Sequence, residues 1–333
     1  MISYKKWLWM TLSIILLPLI AIAGFNFYID PLWNFGHAHR YNRIQASFDE
    51  RQQKTNRVTF GSFDYDTLIL GSSRTTYISQ YDFPGCKAYN YSVSNMLLDE
   101  YYDYVEYAKA RKGREFELII IGLDFYASNQ SIKREFHEPS FYMEQANEFG
   151  YRYKTLLSRD VLRYSWQNFQ ASRQGQPQNF AYDRRNVKTL NLVPTSEKQS
   201  KIDATVDKYR RDIYANYHYV DVKGILSHLK ESNPHTRFIV FTTPISQPLY
   251  ELMLEEGLYP YYQRWLSDCV EIFGEVYNFM GPNSITSDLD NYYDASHVYP
   301  HIGTLMAHRV MNSPDPKIPK DFGYLLRNNP KTP

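Results

Sequence analysis

The chain has 333 residues, a net charge of +1 and 43% hydrophobic residues, a composition typical of a folded protein rather than a disordered one. The low net charge argues against nucleic acid as the main partner, because binding phosphates requires a concentrated basic face. The sequence has no zinc-finger spacing and no H-E-x-x-H motif, so nothing in it predicts a metal or another cofactor. Its 31 tyrosines suit a polar ligand such as a sugar, although half-buried packing is the better explanation for any one of them.

The N-terminus contains the only strongly apolar run. Residues Trp7–Ile29 reach the length of about 20 residues that crosses a hydrocarbon core. Lys5 and Lys6 precede the run, which favours an N-terminus that stays inside. The alternative is a cleaved signal peptide ending near Ala21–Ala23. Because the apolar run continues to Ile29, we expect residues 1–30 to remain as a membrane anchor. In both cases the rest of the chain is exported.

The polar and basic residues 31–60 then predict a stalk, and an α/β domain follows at 61–312. Five short apolar segments predict buried strands: Asp66–Gly71, Lys87–Val93, Glu117–Leu123, Arg237–Thr243 and Glu275–Met280. Helical patterns lie between them, at Leu98–Lys112, Val222–Glu231, Tyr261–Phe273 and His301–Met311. Alternation of strands and helices predicts a three-layer α/β/α fold around a five-stranded parallel sheet.

Two segments do not fit this alternation. Residues from about 126 to 218 contain no clear strand and are far longer than a normal connection, which predicts a helical insertion over one end of the sheet. Residues 313–333 contain several prolines and predict an irregular tail. Cys86 and Cys269 could form a disulfide in an oxidising compartment, and the sequence leaves this open.

Residues able to perform chemistry follow the first predicted strand. The sequence Gly71-Ser72-Ser73-Arg74 stands where a helix should begin, so its serines meet free backbone N–H groups and the positive end of a helix dipole. Such N–H groups can stabilise the oxyanion of a tetrahedral intermediate. The alternative is that the serines only form a turn and cap the helix.

The loop after the fifth predicted strand supplies the other half of such a site. Asp294 precedes His297 by three residues. A serine hydroxyl needs a base, and an imidazole needs a carboxylate to fix its tautomer. Asp290 is an alternative carboxylate that ranks behind Asp294. The order of Ser, Asp and His, each at a strand end, therefore predicts an acyl-transfer site with no metal ligand.

Five motifs in this order resemble the SGNH (GDSL-type) hydrolase superfamily. More narrowly, the chain resembles its membrane-anchored bacterial branch, related to the alginate O-acetylation proteins and the D-alanyl transfer protein of teichoic-acid modification. The motifs cover nearly the whole chain except residues 126–218: Phe27-Tyr28-Ile29-Asp30-Pro31-Leu32, Leu68-Ile69-Leu70-Gly71-Ser72-Ser73-Arg74, Tyr89-Asn90-Tyr91-Ser92-Val93-Ser94, Ile120-Ile121-Gly122-Leu123-Asp124-Phe125 and Tyr293-Asp294-Ala295-Ser296-His297.

The resemblance implies a role for each site residue. Ser73, rather than Ser72, would be the nucleophile, His297 the general base and Asp294 its partner. The oxyanion hole would use the N–H groups of Ser73 and Ser92 and a third donor at position 124. The family commonly has Asn at that position, whereas this chain has Asp124, whose ionised carboxylate cannot donate a hydrogen bond. Either another group donates, or Asp124 is structural, or the site is slow.

The function implied is an esterase or O-acyltransferase, with acetyl as the expected acyl group, acting on an envelope or exported polysaccharide. We expect a single-pass protein of the bacterial inner membrane with its catalytic domain on the periplasmic or extracellular side. Its expected partner is a membrane acyltransferase. Arg74 is expected to be a solvated charge or to bind an anionic group of the substrate. The alternative function is an inactive scaffold of the same fold that binds polysaccharide or a membrane partner during glycan assembly.

Overall fold

The structure is a computed structural model and describes residues 3–177 and 179–328. The described helices are α1 (Tyr4–Ile29), α2 (Glu50–Phe60), α3 (Ser73–Thr76), α4 (Glu100–Lys112), α5 (Pro139–Asn147), α6 (Tyr151–Lys154), α7 (Arg159–Gln174), α8 (Thr195–Lys208), α9 (Val222–Glu231), α10 (Gln247–Glu255), α11 (Tyr259–Phe273) and α12 (Pro300–Val310). The described strands are β1 (Thr67–Gly71), β2 (Ala88–Asn90), β3 (Leu118–Leu123), β4 (Phe180–Tyr182), β5 (Lys188–Leu190), β6 (Arg237–Thr242), β7 (Glu275–Asn278) and β8 (Tyr324–Arg327).

The central sheet has six strands in the order β2-β1-β3-β6-β7-β8. The first five are parallel and correspond to the five predicted strands, while β8 adds to β7 in the antiparallel direction. The side chains of β1 and β3, such as Leu68, Ile69 and Ile120, are fully buried. This explains why these strands are continuous apolar runs, since helices cover both faces of a parallel sheet.

The tail is not irregular throughout, contrary to the sequence prediction. Tyr324–Arg327 forms β8, and Phe322 just before it is fully buried against Phe279, with ring centroids 4.7 Å apart. An edge strand of four half-exposed residues has too short a pattern to be detected in a sequence. Its position is fixed by the backbone of β7 and by the Phe322 anchor.

The chain divides into two compact units, which differ from the predicted domains. Unit 1 comprises residues 1–63 and 140–185, and unit 2 comprises residues 64–139 and 186–333. The predicted stalk, 31–60, lies entirely in unit 1. The predicted helical insertion is shared between the units, and it contains the strands β4 and β5 as well as helices.

In unit 1, α2 is buried despite its polar sequence, which is why residues 31–60 do not form an exposed stalk. Its Gln53 and Asn56 are fully buried, and their amide groups donate to the carbonyl oxygens of Pro31 (2.7 Å) and Leu32 (3.0 Å). Burying an amide is tolerated when it is hydrogen-bonded. A pattern of hydrophobic residues cannot predict such a helix.

Unit 1 also contains α1, whose 26 residues are long and apolar enough to cross a membrane. The helix ends at Ile29, and the next residue, Asp30, caps it with φ 50°. The Asp30 carboxylate accepts the backbone N–H of Asn34 at 2.7 Å and forms a buried ion pair with Arg184 at 2.6 Å. These contacts fix the direction in which the chain leaves the helix.

In unit 2, the strand order reverses beside β1. The chain passes from β1 to β2 on one side and then returns to β3 on the other. In open α/β sheets, the crevice at the carboxyl ends of the strands at such a point is the usual ligand site. The residues that follow β1 and β3, including Ser73 and Asp124, therefore lie at this crevice.

Candidate active site

Two glycines allow the helix after β1 to start close to the sheet. Gly71 and Gly122 are paired in register on β1 and β3. A Cβ atom on either residue would lie 2.2 Å from Oγ1 of Thr75, which is far inside van der Waals contact. The absence of both side chains lets Thr75 pack onto the strand ends and places the start of α3 at the crevice.

The two serines at the start of α3 have different environments. Ser72 is fully buried and caps the helix, because its Oγ accepts the N–H of Arg74 at 3.3 Å. Ser73 is only partly buried and lines the cavity at this edge of the sheet. Of the two hydroxyl groups, that of Ser73 is available to a substrate.

His297 lies next to Ser73 and is oriented by Asp294. Its Nε2 is 2.9 Å from Oγ of Ser73, and its Nδ1 is 2.9 Å from Oδ2 of Asp294. With the proton on Nδ1 held by the carboxylate, Nε2 is left to accept the serine proton. Asp290, the alternative carboxylate, is exposed and pairs with Lys198 at 2.7 Å instead.

The loop 294–297 is folded around the Asp294 carboxylate. Oδ1 accepts the backbone N–H of Ser296 (2.8 Å) and of His297 (2.9 Å), and the Ser296 hydroxyl lies 3.1 Å from the same atom. Burial opposes ionisation of Asp294, but the neighbouring His297 and the hydrogen bonds outweigh it and hold the pKa of the carboxyl well below its usual range. Ser296 therefore positions Asp294, a role that we did not predict and that an Asp-x-Ser spacing suggests.

One of the three predicted oxyanion donors is available, and a second is not. Among the described residues, the N–H of Ser73 makes no hydrogen bond. The N–H of Ser92, in contrast, donates to Oδ1 of Asn90 at 2.9 Å, and Ser92 is fully buried. The expectation for Ser92 is therefore wrong, because a local turn already uses its donor.

Asp124 is the partner of Arg74 and cannot donate to an oxyanion. Its Oδ1 lies 3.1 Å from Nη1 of Arg74 and accepts the Thr243 hydroxyl at 2.5 Å. Both charged residues are buried. Arg74 is thus not a solvated charge, which corrects that interpretation. It also lines the cavity that contains Ser73, so its binding of an anionic substrate group stays a prediction. Of the alternatives for Asp124, the structural one agrees with these contacts.

The Arg74 guanidinium reaches further into unit 2 through tyrosines. Its Nη2 donates to the Tyr209 hydroxyl at 2.6 Å, and its charge lies 5.2 Å from the ring centre of Tyr126. Burial raises the pKa of the Tyr209 hydroxyl, although the charge of Arg74 opposes this. The tyrosine therefore stays a neutral donor and acceptor, and the ion pair is surrounded by the hydroxyl groups of Tyr209 and Thr243.

A cavity of about 150 Å³ opens above Ser73 and His297. Leu97, Ile132 and Ile213 give it apolar walls, while Lys208 stands among its polar lining residues. Ile213 belongs to a π-helical turn, Tyr209–Ile213, and single π turns often occur at functional sites.

Asn95 is a lining residue that we did not predict. It adopts φ 50°, a left-handed conformation that Asn tolerates better than most residues. Its side-chain amide donates to Glu135, also at the cavity. Asn95 therefore places a polar amide at the wall of the pocket. The Asn after a buried segment was the only signal in the sequence.

The two cysteines and the search for metal ligands add no residue to this site. Cys86 and Cys269 are both free thiols, so the disulfide left open by the sequence is not formed. Burial raises the pKa of the Cys269 thiol well above its usual value, which makes it unreactive. Within residues 3–177 and 179–328, no group of three or more His, Cys, Asp or Glu side chains could hold a metal ion.

No protein-family model matches the chain, and no curated protein sequence or solved structure matches it significantly.

Proposed function

We propose that this protein is a serine acyl-transfer enzyme, an ester hydrolase or O-acyltransferase of the SGNH type. The observation that carries the proposal is one pair of contacts on the His297 ring. Nε2 lies 2.9 Å from the Ser73 hydroxyl, and Nδ1 lies 2.9 Å from the Asp294 carboxylate. A hydroxyl, an imidazole and a carboxylate in this order form a proton path for nucleophilic catalysis.

The reaction uses these three groups twice. Ser73 Oγ attacks the ester carbonyl while its proton passes to Nε2 of His297, and Asp294 stabilises the imidazolium. The carbonyl oxygen becomes an anion that the N–H of Ser73 can bind at the start of α3. When this intermediate collapses, His297 returns the proton to the departing alcohol and the acyl group remains on Ser73. Water or a sugar hydroxyl then attacks the acyl-serine and gives its proton to His297. When the second intermediate collapses, the bond between the acyl group and Ser73 Oγ breaks, His297 returns the proton to Ser73, and the acid or the new ester is released.

The size of the cavity favours a small acyl group. Its volume of about 150 Å³ is below the roughly 300 Å³ at which pockets for drug-sized ligands begin. In this proposal an acetyl group would lie in the cavity lined by Leu97 and Ile213, and the polymer bearing it would remain outside. An envelope or exported polysaccharide is the substrate that we propose, with the protein in a bacterial inner membrane and its site on the periplasmic or extracellular side. A membrane acyltransferase would supply the acyl group.

The test compares two neighbouring serines. We expect the full chain in detergent to hydrolyse p-nitrophenyl acetate and to form a covalent adduct with a fluorophosphonate. Ser73→Ala should abolish the adduct and lower the rate on the order of 10⁴-fold or more, as for other serine nucleophiles. Ser72→Ala is the matched control and should keep the adduct. Turnover that survives in Ser73→Ala, with no adduct in the wild type, would overturn the proposal.

One observation favours the alternative of a binding scaffold. The donor of Ser92 and the carboxylate of Asp124 are both engaged elsewhere, which leaves the N–H of Ser73 as the remaining predicted donor. Losing one oxyanion donor can cost about 10²–10³ in rate. A scaffold predicts that Ser73→Ala retains wild-type surface glycan in cells, whereas an enzyme predicts loss of the acyl group from that glycan.

A further inference from the structure

Unit 1 exposes four large apolar side chains in residues 149–166, which run from the turn after α5 into α7. Phe149 is 96% exposed, Tyr153 is 67% exposed, and Leu157 and Trp166 are each 54% exposed. We call these four residues the apolar patch. Isolated apolar residues on a surface need no explanation, but a cluster within one short stretch of chain marks an interaction site.

Leu157 and Trp166 of the apolar patch belong to elements that pack beside the C-terminal end of α1. This helix packs against α7 and against the turn Thr155–Leu157. The side chain of Asn26 donates to the carbonyl oxygen of Leu156 at 2.9 Å, and the rings of Phe25 and Trp166 lie 6.4 Å apart. If α1 crosses a membrane, residues 25 and 26 stand where the chain leaves the hydrocarbon. The patch is then held at the depth of the lipid headgroups.

The net positive charge around the apolar patch suits the headgroup region of a bilayer that contains anionic lipids. Residues 148–163 contain four basic side chains, Arg152, Lys154, Arg159 and Arg163, against two acidic ones, Glu148 and Asp160. Basic residues beside a membrane are attracted to anionic lipids by roughly 1 kcal/mol each. Aromatic rings with apolar neighbours are typical of proteins that rest in the membrane interface.

We propose that residues 149–166 of unit 1 lie in the interface of an anionic bilayer, as a second membrane contact beside α1. Phe149, Tyr153, Leu157 and Trp166 enter the headgroup region, and Arg159 contacts lipid phosphates. A bilayer is favoured over a partner protein because the patch is continuous with α1. The inference does not depend on acyl transfer, and its test does not use activity.

The test measures depth in the bilayer. Nitroxide labels are attached to the full chain in nanodiscs of phosphatidylcholine with phosphatidylglycerol, using Phe149→Cys and Tyr153→Cys in a Cys86→Ser background; Cys269 is buried. The control is Phe180→Cys, an exposed aromatic position of the same unit at β4. We expect the ratio of oxygen to nickel-chelate collisions at 149 and 153 to exceed that at 180 several-fold.

Equal ratios at the three positions would overturn the proposal, as would labels shielded from both reagents, which would indicate a protein partner instead. A second measurement needs no cysteine. Brominated lipids should quench the tryptophan fluorescence of the wild type more than that of Trp166→Phe. Equal quenching of the two proteins would also contradict a membrane-embedded Trp166. Nanodiscs of phosphatidylcholine alone test the charge, since shallower labels are expected there and unchanged depth would refute a role for Arg159.

Discussion

Arg74 and Asp124 form a buried ion pair, 3.1 Å between Nη1 and Oδ1, and Arg74 is the residue next to the candidate nucleophile in the chain. Arg74 follows Ser73 in the chain, while Asp124 follows β3, so the pair ties together the two strand ends that form the crevice. The contribution of this pair to stability depends on both members, because a buried charge is tolerated only while its partner is present.

Removing one member of this pair should therefore destabilise unit 2. We expect Asp124→Asn to lower the free energy of unfolding by about 3–5 kcal/mol, since the Arg74 charge would be left buried and unpaired. The double variant Arg74→Met, Asp124→Leu should recover most of this loss. Thermal unfolding in detergent measures both, and a double variant no more stable than Asp124→Asn would contradict the argument.

The choice between two carboxylates can be tested directly. Asp294→Asn should lower the rate of ester hydrolysis about 10⁴-fold, because the amide favours the wrong tautomer of His297. Asp290→Asn, at an exposed position that pairs with Lys198, is the matched control and should remain near the wild-type rate. Stopped assays with p-nitrophenyl acetate distinguish them. Comparable losses in both variants would show that Asp290 shares the role.

Asp294 should also make stability depend on pH in the acid range. Its pKa is depressed in the folded protein, so the unfolded chain binds more protons between the folded pKa and about 3.9. The stabilisation from Asp294 is thus present above about pH 4 and is lost as the pH falls through the folded pKa. We expect the melting temperature of the wild type to fall more steeply below pH 4 than that of Asp294→Asn. Parallel curves would exclude this carboxyl as a source of acid sensitivity.

The cavity wall should control the length of the acyl group. Leu97→Ala removes three carbons from the lining, so we expect the rate on p-nitrophenyl butyrate to rise relative to acetate. One methylene in an apolar pocket is worth about 1–3 kcal/mol, or 10- to 200-fold. The ratio of kcat/KM for the two esters gives the answer. An unchanged ratio would mean that the acyl group does not contact Leu97.

The contact between the strand glycines and Thr75 predicts a steric cost. Gly122→Ala places a Cβ 2.2 Å from Oγ1 of Thr75 and 2.9 Å from the ring of Phe241. We expect a loss of about 1–3 kcal/mol in the free energy of unfolding, as for other overpacked cores. Thr75→Ala in the same chain should relieve part of it, leaving the contact with Phe241. Melting temperatures of the single and double variants measure the relief.

The sequence by itself predicted the parallel part of the sheet and the residues at two of its ends. Apolar runs such as Glu117–Leu123 show their burial locally, because a parallel strand is covered on both faces. Parallel strands have their carboxyl ends at one edge, so Ser73 and the 294–297 loop were expected to meet. The structure places them in hydrogen-bond contact.

Only the tertiary structure decided which polar groups are already engaged. The N–H of Ser92 is bound by Asn90, two residues before it, which is a local turn that the sequence prediction overlooked. The charge of Arg74 is paired with Asp124, fifty residues further along the chain, and no local pattern marks that partner. The buried amides of α2 and the short strand β8 were missed for the same reason. Their stability comes from hydrogen bonds to distant backbone rather than from a period of apolar residues. The spacing of apolar residues in a sequence indicates which segments are buried, whereas the pairing of polar groups depends on the folded geometry.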